Sequence, residues 1–157
     1  MDKELEQVYG HKLRVRVCGL CWQEDRLLLL DHQHLGAEHF WAPPGGGVDY
    51  EASAEDCLVK EFMEETGLQV TVGDFLFAAE FIKPPLHAIE LFFQVHVKSG
   101  SLRVGYDPET SINILRAAAY KSYEEILAIP SNQRHGIFEM ARSPLELRKL
   151  RGYRRLL

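Results

Sequence analysis

Five consecutive residues, Pro43-Pro44-Gly45-Gly46-Gly47, interrupt the chain and constrain what can stand on either side of them. Proline fixes φ and lacks an amide hydrogen, while glycine opens backbone angles closed to other residues. Neither strand nor helix is expected to continue through such a run, which reads as a loop. Ahead of it, residues 13–22 alternate and then run apolar, Gln23-Glu24-Asp25 supplies a polar turn, and residues 26–30 are apolar again. That pattern predicts a hairpin with a doubly buried strand, followed by a short aromatic piece, Phe40-Trp41-Ala42. Beyond the run, residues 53–66 predict a helix. Ser53 stands as N-cap, Glu55 and Asp56 lie in the first turn, and Gly67 takes the left-handed C-terminal position.

Downstream, residues 69–77 and 80–82 predict strands, Lys83-Pro84-Pro85 a turn, 88–97 a long strand and Ser99-Gly100 another turn. Residues 115–120 read as a strand and 122–129 as an amphipathic helix ended by Pro130. From His135 the pattern is helical, broken at Ser143-Pro144, and basic at its end through Arg148, Lys149, Arg151, Arg154 and Arg155. A solvated helix face explains that cluster better than a nucleic-acid arm. The sum is a single α+β domain over residues 1–157, a mixed β-sheet flanked by helices.

Charge and cysteine usage exclude several classes of function. A net charge of -5 argues against nucleic acid as a partner, because phosphate-backbone affinity needs a basic surface. No apolar run reaches membrane-spanning length, so no membrane partner is expected and the location reads as cytoplasmic. Cys18 and Cys21 have C-x-x-C spacing but fall inside an apolar strand, and Cys57 stands apart. Buried structural thiols are therefore expected, not a redox pair or a zinc site.

The helix is more acidic than its position favours. At about 100° per residue, Glu61, Glu64 and Glu65 share one face, while Leu58, Val59, Phe62 and Met63 occupy another and are expected to meet the core. Like charges at this spacing repel, and carboxylates in the last turn oppose the helix dipole. A divalent cation reverses both penalties, and clustered hard oxygens suit Mg²⁺ or Mn²⁺. Gly45, Gly46 and Gly47 would let backbone amides approach phosphate oxygens closely.

The run from Gly46 to Leu68 resembles the Nudix box, G-x5-E-x7-R-E-U-x-E-E-x-G-U with U apolar. Gly46, Glu61, Phe62, Glu64, Glu65, Gly67 and Leu68 match at the required spacing. Two positions depart: Ala52 stands for the first glutamate, with Glu51 one residue early, and Lys60 stands for the arginine that helps orient the family's glutamates. Lysine keeps the charge without the planar fork.

The resemblance implies a Nudix fold, an α/β/α sandwich, and hydrolysis of a nucleoside diphosphate linked to another group. Glu61, Glu64 and Glu65 would hold Mg²⁺ or Mn²⁺, with Glu64 as general base, Lys60 beside it, and Glu90 as a further ligand or outside base. Gly45, Gly46, Gly47, Trp41 and His87 would contact the nucleotide, with Phe40 beside Trp41. Pro84, 16 residues beyond Leu68, is similar to a proline of the family's ADP-ribose-cleaving members, so a sugar nucleotide is expected before a nucleoside triphosphate. His32, His34 and His39 read as a polar loop before they read as a phosphate or metal site. A homodimer is common in the family. The rival expectation, prompted by Ala52 and Lys60, is a Nudix-fold binding or regulatory module without catalysis.

Overall fold

The computed structural model describes residues 3–33, 38–105 and 115–156. A helix, α1 (Lys3–Tyr9), precedes the central strand β1 (Lys12–Gln23), which turns into β2 (Arg26–His32) as the sequence pattern requires. Short β3 (Trp41–Ala42) and β4 (Gly45–Gly47) come next, then α2 (Ala54–Thr66), and then two long strands, β5 (Gln69–Lys83) and β6 (Leu86–Ser99). The chain continues through β7 (Leu115–Lys121), α3 (Tyr123–Ala128), α4 (Ile137–Met140), α5 (Pro144–Lys149) and β8 (Gly152–Arg155).

The strands join in the order β3-β2-β1-β6-β5-β8, with β4 added on β1 and β7 on β2. The β1–β6 and β5–β8 pairs are parallel and the others antiparallel, so the sheet is mixed. Alternate residues of β1 divide between two cores. Val17 and Cys21 join Leu58 and Phe62 of α2 on one face. Cys18 and Leu20 join Ile126 of α3, Phe138 of α4 and Leu147 of α5 on the other. Helices thus cover both faces, the expected α/β/α sandwich. All three cysteines are free and buried. No helix among the described residues is long and apolar enough to cross a membrane.

Four expectations are corrected. The glycine run is a strand, because Gly45, Gly46 and Gly47 pair antiparallel with Cys18, Val17 and Arg16. A Cβ at Gly45 would meet the Val17 carbonyl at 2.2 Å, so an approach this close excludes side chains. Residues 69–83 form one strand, not two. Register shifts around Phe75 disturb the alternation without ending the ladder. The basic tail divides where one helix was expected: Arg148 and Lys149 end α5, Leu150 is already extended, and beyond Gly152, at φ 84, the open edge of β5 receives Tyr153–Arg155 as β8. Met63 is exposed, because Glu61 and Glu65 lie on the buried side of α2 and Met63 falls about 200° around from Glu61.

Candidate active site

Capping fixes where α2 begins and ends. The Ser53 hydroxyl accepts the Asp56 amide at 3.0 Å, and Gly67, left-handed at φ 73, donates its amide to Met63. Between these ends, Leu58 and Phe62 are fully buried and set the rotation of the helix against the sheet. The rotation turns two of the three acids onto β4. Glu65 Oε1 accepts the Gly45 amide at 3.0 Å. Glu61 lies so close to Gly46 that a Cβ there would stand 2.4 Å from its carboxyl carbon.

Glu64 is placed differently. Its Oε1 is 3.9 Å from Lys60 Nζ, and its Oε2 is buried without a hydrogen-bond partner. Lys60 is also 3.9 Å from Asp49, an acid that the sequence pattern gave no reason to single out. Asp49, and not Glu51, is thus the acid beside Lys60; Glu51 is exposed in a left-handed conformation at φ 63.

Among the described residues, no three His, Cys, Asp or Glu side chains lie together closely enough to hold a cation in the conformations they adopt. The acids are nevertheless chemically suited to one. They form an all-oxygen set on one helix, and a buried oxygen that has left water without gaining a donor is the atom a hard cation would satisfy. The Gly45 amide, expected to face phosphate, is instead occupied by Glu65.

Glu90 belongs to a separate cluster. It pairs with Arg16 across the parallel β1–β6 ladder and shares strand parity with Phe92, on the sheet face opposite α2. Its Oε2 receives the Arg16 guanidinium and, at 3.3 Å, the Cys18 thiol. Its Oε1 receives His135 Nε2 at 2.6 Å. The Ile137 amide donates to His135 Nδ1 at 3.1 Å, so the ring proton is at Nε2, facing Glu90. Burial alone would raise the Glu90 pKa, but His135 and Arg16 outweigh it and hold the carboxyl far below the usual range. Burial pushes the Cys18 thiol up, with the Glu90 charge adding to the effect. Strand parity thus places Glu90, expected as a further ligand or outside base, on the face opposite α2 with Arg16, Cys18 and His135 as its partners. A charge at an inward strand position was the available signal, although it did not reveal Arg16 or His135 as partners.

The remaining expected contacts are dispersed. His87 Nε2 is 2.9 Å from Glu80, which also accepts the Tyr153 hydroxyl at 2.5 Å. His87 pairs with Leu13, four strand residues or about 13 Å from the Val17–Gly46 pair. Trp41 packs against the core with Lys121 Nζ 4.2 Å from its ring centre. His39 holds Asp31 at 2.7 Å, while the His32 ring packs edge-on to Phe40. His34 lies outside the described residues.

A mixed sheet between helices, with an acidic helix packed on a glycine strand, defines a class that comparison with known proteins identifies. The NUDIX domain family model matches residues 11–139. An ADP-ribose pyrophosphatase of Methanocaldococcus jannaschii is 30% identical over 108 residues, which cover 68% of this chain and 63% of that protein. An 8-oxo-dGTP diphosphatase of Proteus vulgaris is 28% identical over 105 residues, covering 60% of this chain and 92% of that one. A solved NUDIX hydrolase from Nitrosomonas europaea aligns with a TM-score of 0.71 at 20% identity, covering 89% of this chain and 93% of that one. The chain belongs to the Nudix family. It spans less than two thirds of the length of its Methanocaldococcus jannaschii relative.

Proposed function

We propose that this protein is a metal-dependent Nudix pyrophosphohydrolase acting on a nucleoside diphosphate linked to another group, with ADP-ribose or a similar sugar nucleotide preferred over nucleoside triphosphates. The observation that carries the reading is the packing of Glu61 and Glu65 on the β4 glycines with a buried, partnerless oxygen on Glu64 between them in sequence. Similarity to an ADP-ribose pyrophosphatase supports the substrate preference. Glu61, Glu64 and Glu65 would ligate Mg²⁺ or Mn²⁺, which when bound neutralises diphosphate charge and acidifies a water. Glu64 takes the proton from the attacking water, and Lys60, within 3.9 Å of it, keeps that carboxylate oriented. Gly46 leaves room for Glu61 where any side chain would displace it.

The test is product analysis with Mg²⁺ over a nucleotide panel. AMP from ADP-ribose supports the reading, whereas pyrophosphate from a triphosphate moves the preference to that class. Ala52 and Lys60 favour a second reading, a Nudix-fold binding module without catalysis. Ligand binding with no turnover on any member of the panel selects it.

A further inference from the structure

The C-terminal end of α2 poses an electrostatic problem that the helix does not solve itself. Glu64 and Glu65 stand in its last turn, which contains no basic residue. A helix also leaves its final carbonyls without intrahelical donors. Gly67 caps one of them, at Met63. Two more, those of Glu65 and Thr66, are capped from a segment two strands further along the chain. The Gly105 amide donates to the Glu65 carbonyl and the Arg103 amide to the Thr66 carbonyl, each at 2.9 Å. The Arg103 side chain crosses Gly67 so closely that a Cβ there would lie 2.8 Å from its Cγ and Nε. Leu102 packs against the core that α2 shares with the sheet. A Cβ on Gly105 would stand 1.6 Å from the carbonyl oxygen of Glu64. That neighbour is backbone, so it cannot swing aside as a side chain would.

From this geometry we propose that Gly105 is a positioning residue of the site. The strap of residues 101–105 clamps the last turn of α2 and thereby sets the backbone from which Glu64 and Glu65 reach the cation. Gly105 touches no reacting atom and acts through those two acids. Arg103 brings to the helix end the positive charge that the last turn of α2 lacks. The inference rests on the metal-dependent reading above and adds a dependence on a segment outside the Nudix box.

Mn²⁺ titration followed by electron paramagnetic resonance, without nucleotide, tests it on the wild type, Gly105→Ala and Leu102→Ala. Gly105→Ala is expected to weaken Mn²⁺ binding about tenfold, the range for residues one shell behind metal ligands. The Mg²⁺ concentration giving half-maximal rate should rise in parallel while the nucleotide KM at saturating Mg²⁺ stays at the wild-type value. A merely structural role would not produce that split. Leu102→Ala loosens the strap without a clash, should shift Mn²⁺ affinity in the same direction by less than Gly105→Ala does, and decides alone if Gly105→Ala does not fold. Faster amide exchange at Gly105 and Arg103 should accompany both changes. Wild-type Mn²⁺ binding with undiminished affinity in the folded variants overturns the strap alone. Failure of the wild type to bind Mn²⁺ overturns the metal reading and the strap with it.

Discussion

Glu61 and Gly46 are fitted to one another: a Cβ added to Gly46 would lie 2.4 Å from Glu61 Oε1 and 2.8 Å from its Oε2. The box glycine is therefore not required by backbone angle; it is required by the carboxylate above it. Gly46→Ala should displace Glu61 and lower turnover at least about tenfold, within the range for disturbed ligand shells. The displaced atoms end a flexible side chain, so the stability cost should be about 1 kcal/mol. Steady-state rates and a thermal melt check both. An alanine variant with wild-type turnover would contradict the fit. Gly45→Ala presses instead on the Val17 backbone and should damage the fold before the chemistry.

The helix was legible because its cap, its apolar anchors and its acids lie within one continuous stretch, and local spacing fixes their angular relation. Most strands were legible for the same reason. Strand β4 was not, because glycine carries no side-chain alternation and its pairing with β1 is a long-range event. Strand β8 depends on an open edge of β5 that no local pattern in the tail reveals. The Arg16–Glu90–His135 contact joins residues far apart in sequence, so the individual charges were visible but their meeting was not.

Glu64→Gln is the sharpest test of the chemistry. It keeps the shape of the side chain and removes both the charge and the base. Turnover with Mg²⁺ should fall by about 10²–10⁴, the usual contribution of a general base. Stability should hold or rise, since the substitution removes a carboxylate with a buried, partnerless oxygen and the mutual repulsion with Glu61 and Glu65. Rates near wild type would remove Glu64 from the role of base.

Stability should also depend on pH through His32. Burial, reinforced by the Arg16 charge and opposed by Asp31, pushes its imidazole down to about 4 from 6.5. A base whose folded pKa is depressed is protonated first in the unfolded state, so its contribution is full above pH 6.5. That contribution declines as pH falls toward 4 and is gone below it. The slope is about 1.4 kcal/mol per pH unit within that window. Urea unfolding of the wild type and His32→Gln at pH 7 and pH 5 should show a smaller acid loss in the variant. Identical losses would refute the assignment.

Glu90 separates scaffold from ligand. Its carboxylate joins β1, β6 and the segment leading into α4 through Arg16, Cys18 and His135. Because its folded pKa is depressed, it stabilises the fold above its ordinary value of 4.5 and loses that contribution as pH falls below it. Glu90→Ala leaves the half-buried Arg16 guanidinium and the buried His135 N–H without their acceptor, which should cost about 3 kcal/mol. Glu90→Gln keeps an acceptor for His135 and loses the charge facing Arg16, so its cost should be about 1–3 kcal/mol. Both losses should appear in the melting temperature, since the group lies on the sheet face away from α2. A raised Mg²⁺ requirement in folded Glu90→Gln would instead make this carboxylate part of the cation site, reached by a movement of Arg16 and His135 that frees its oxygens.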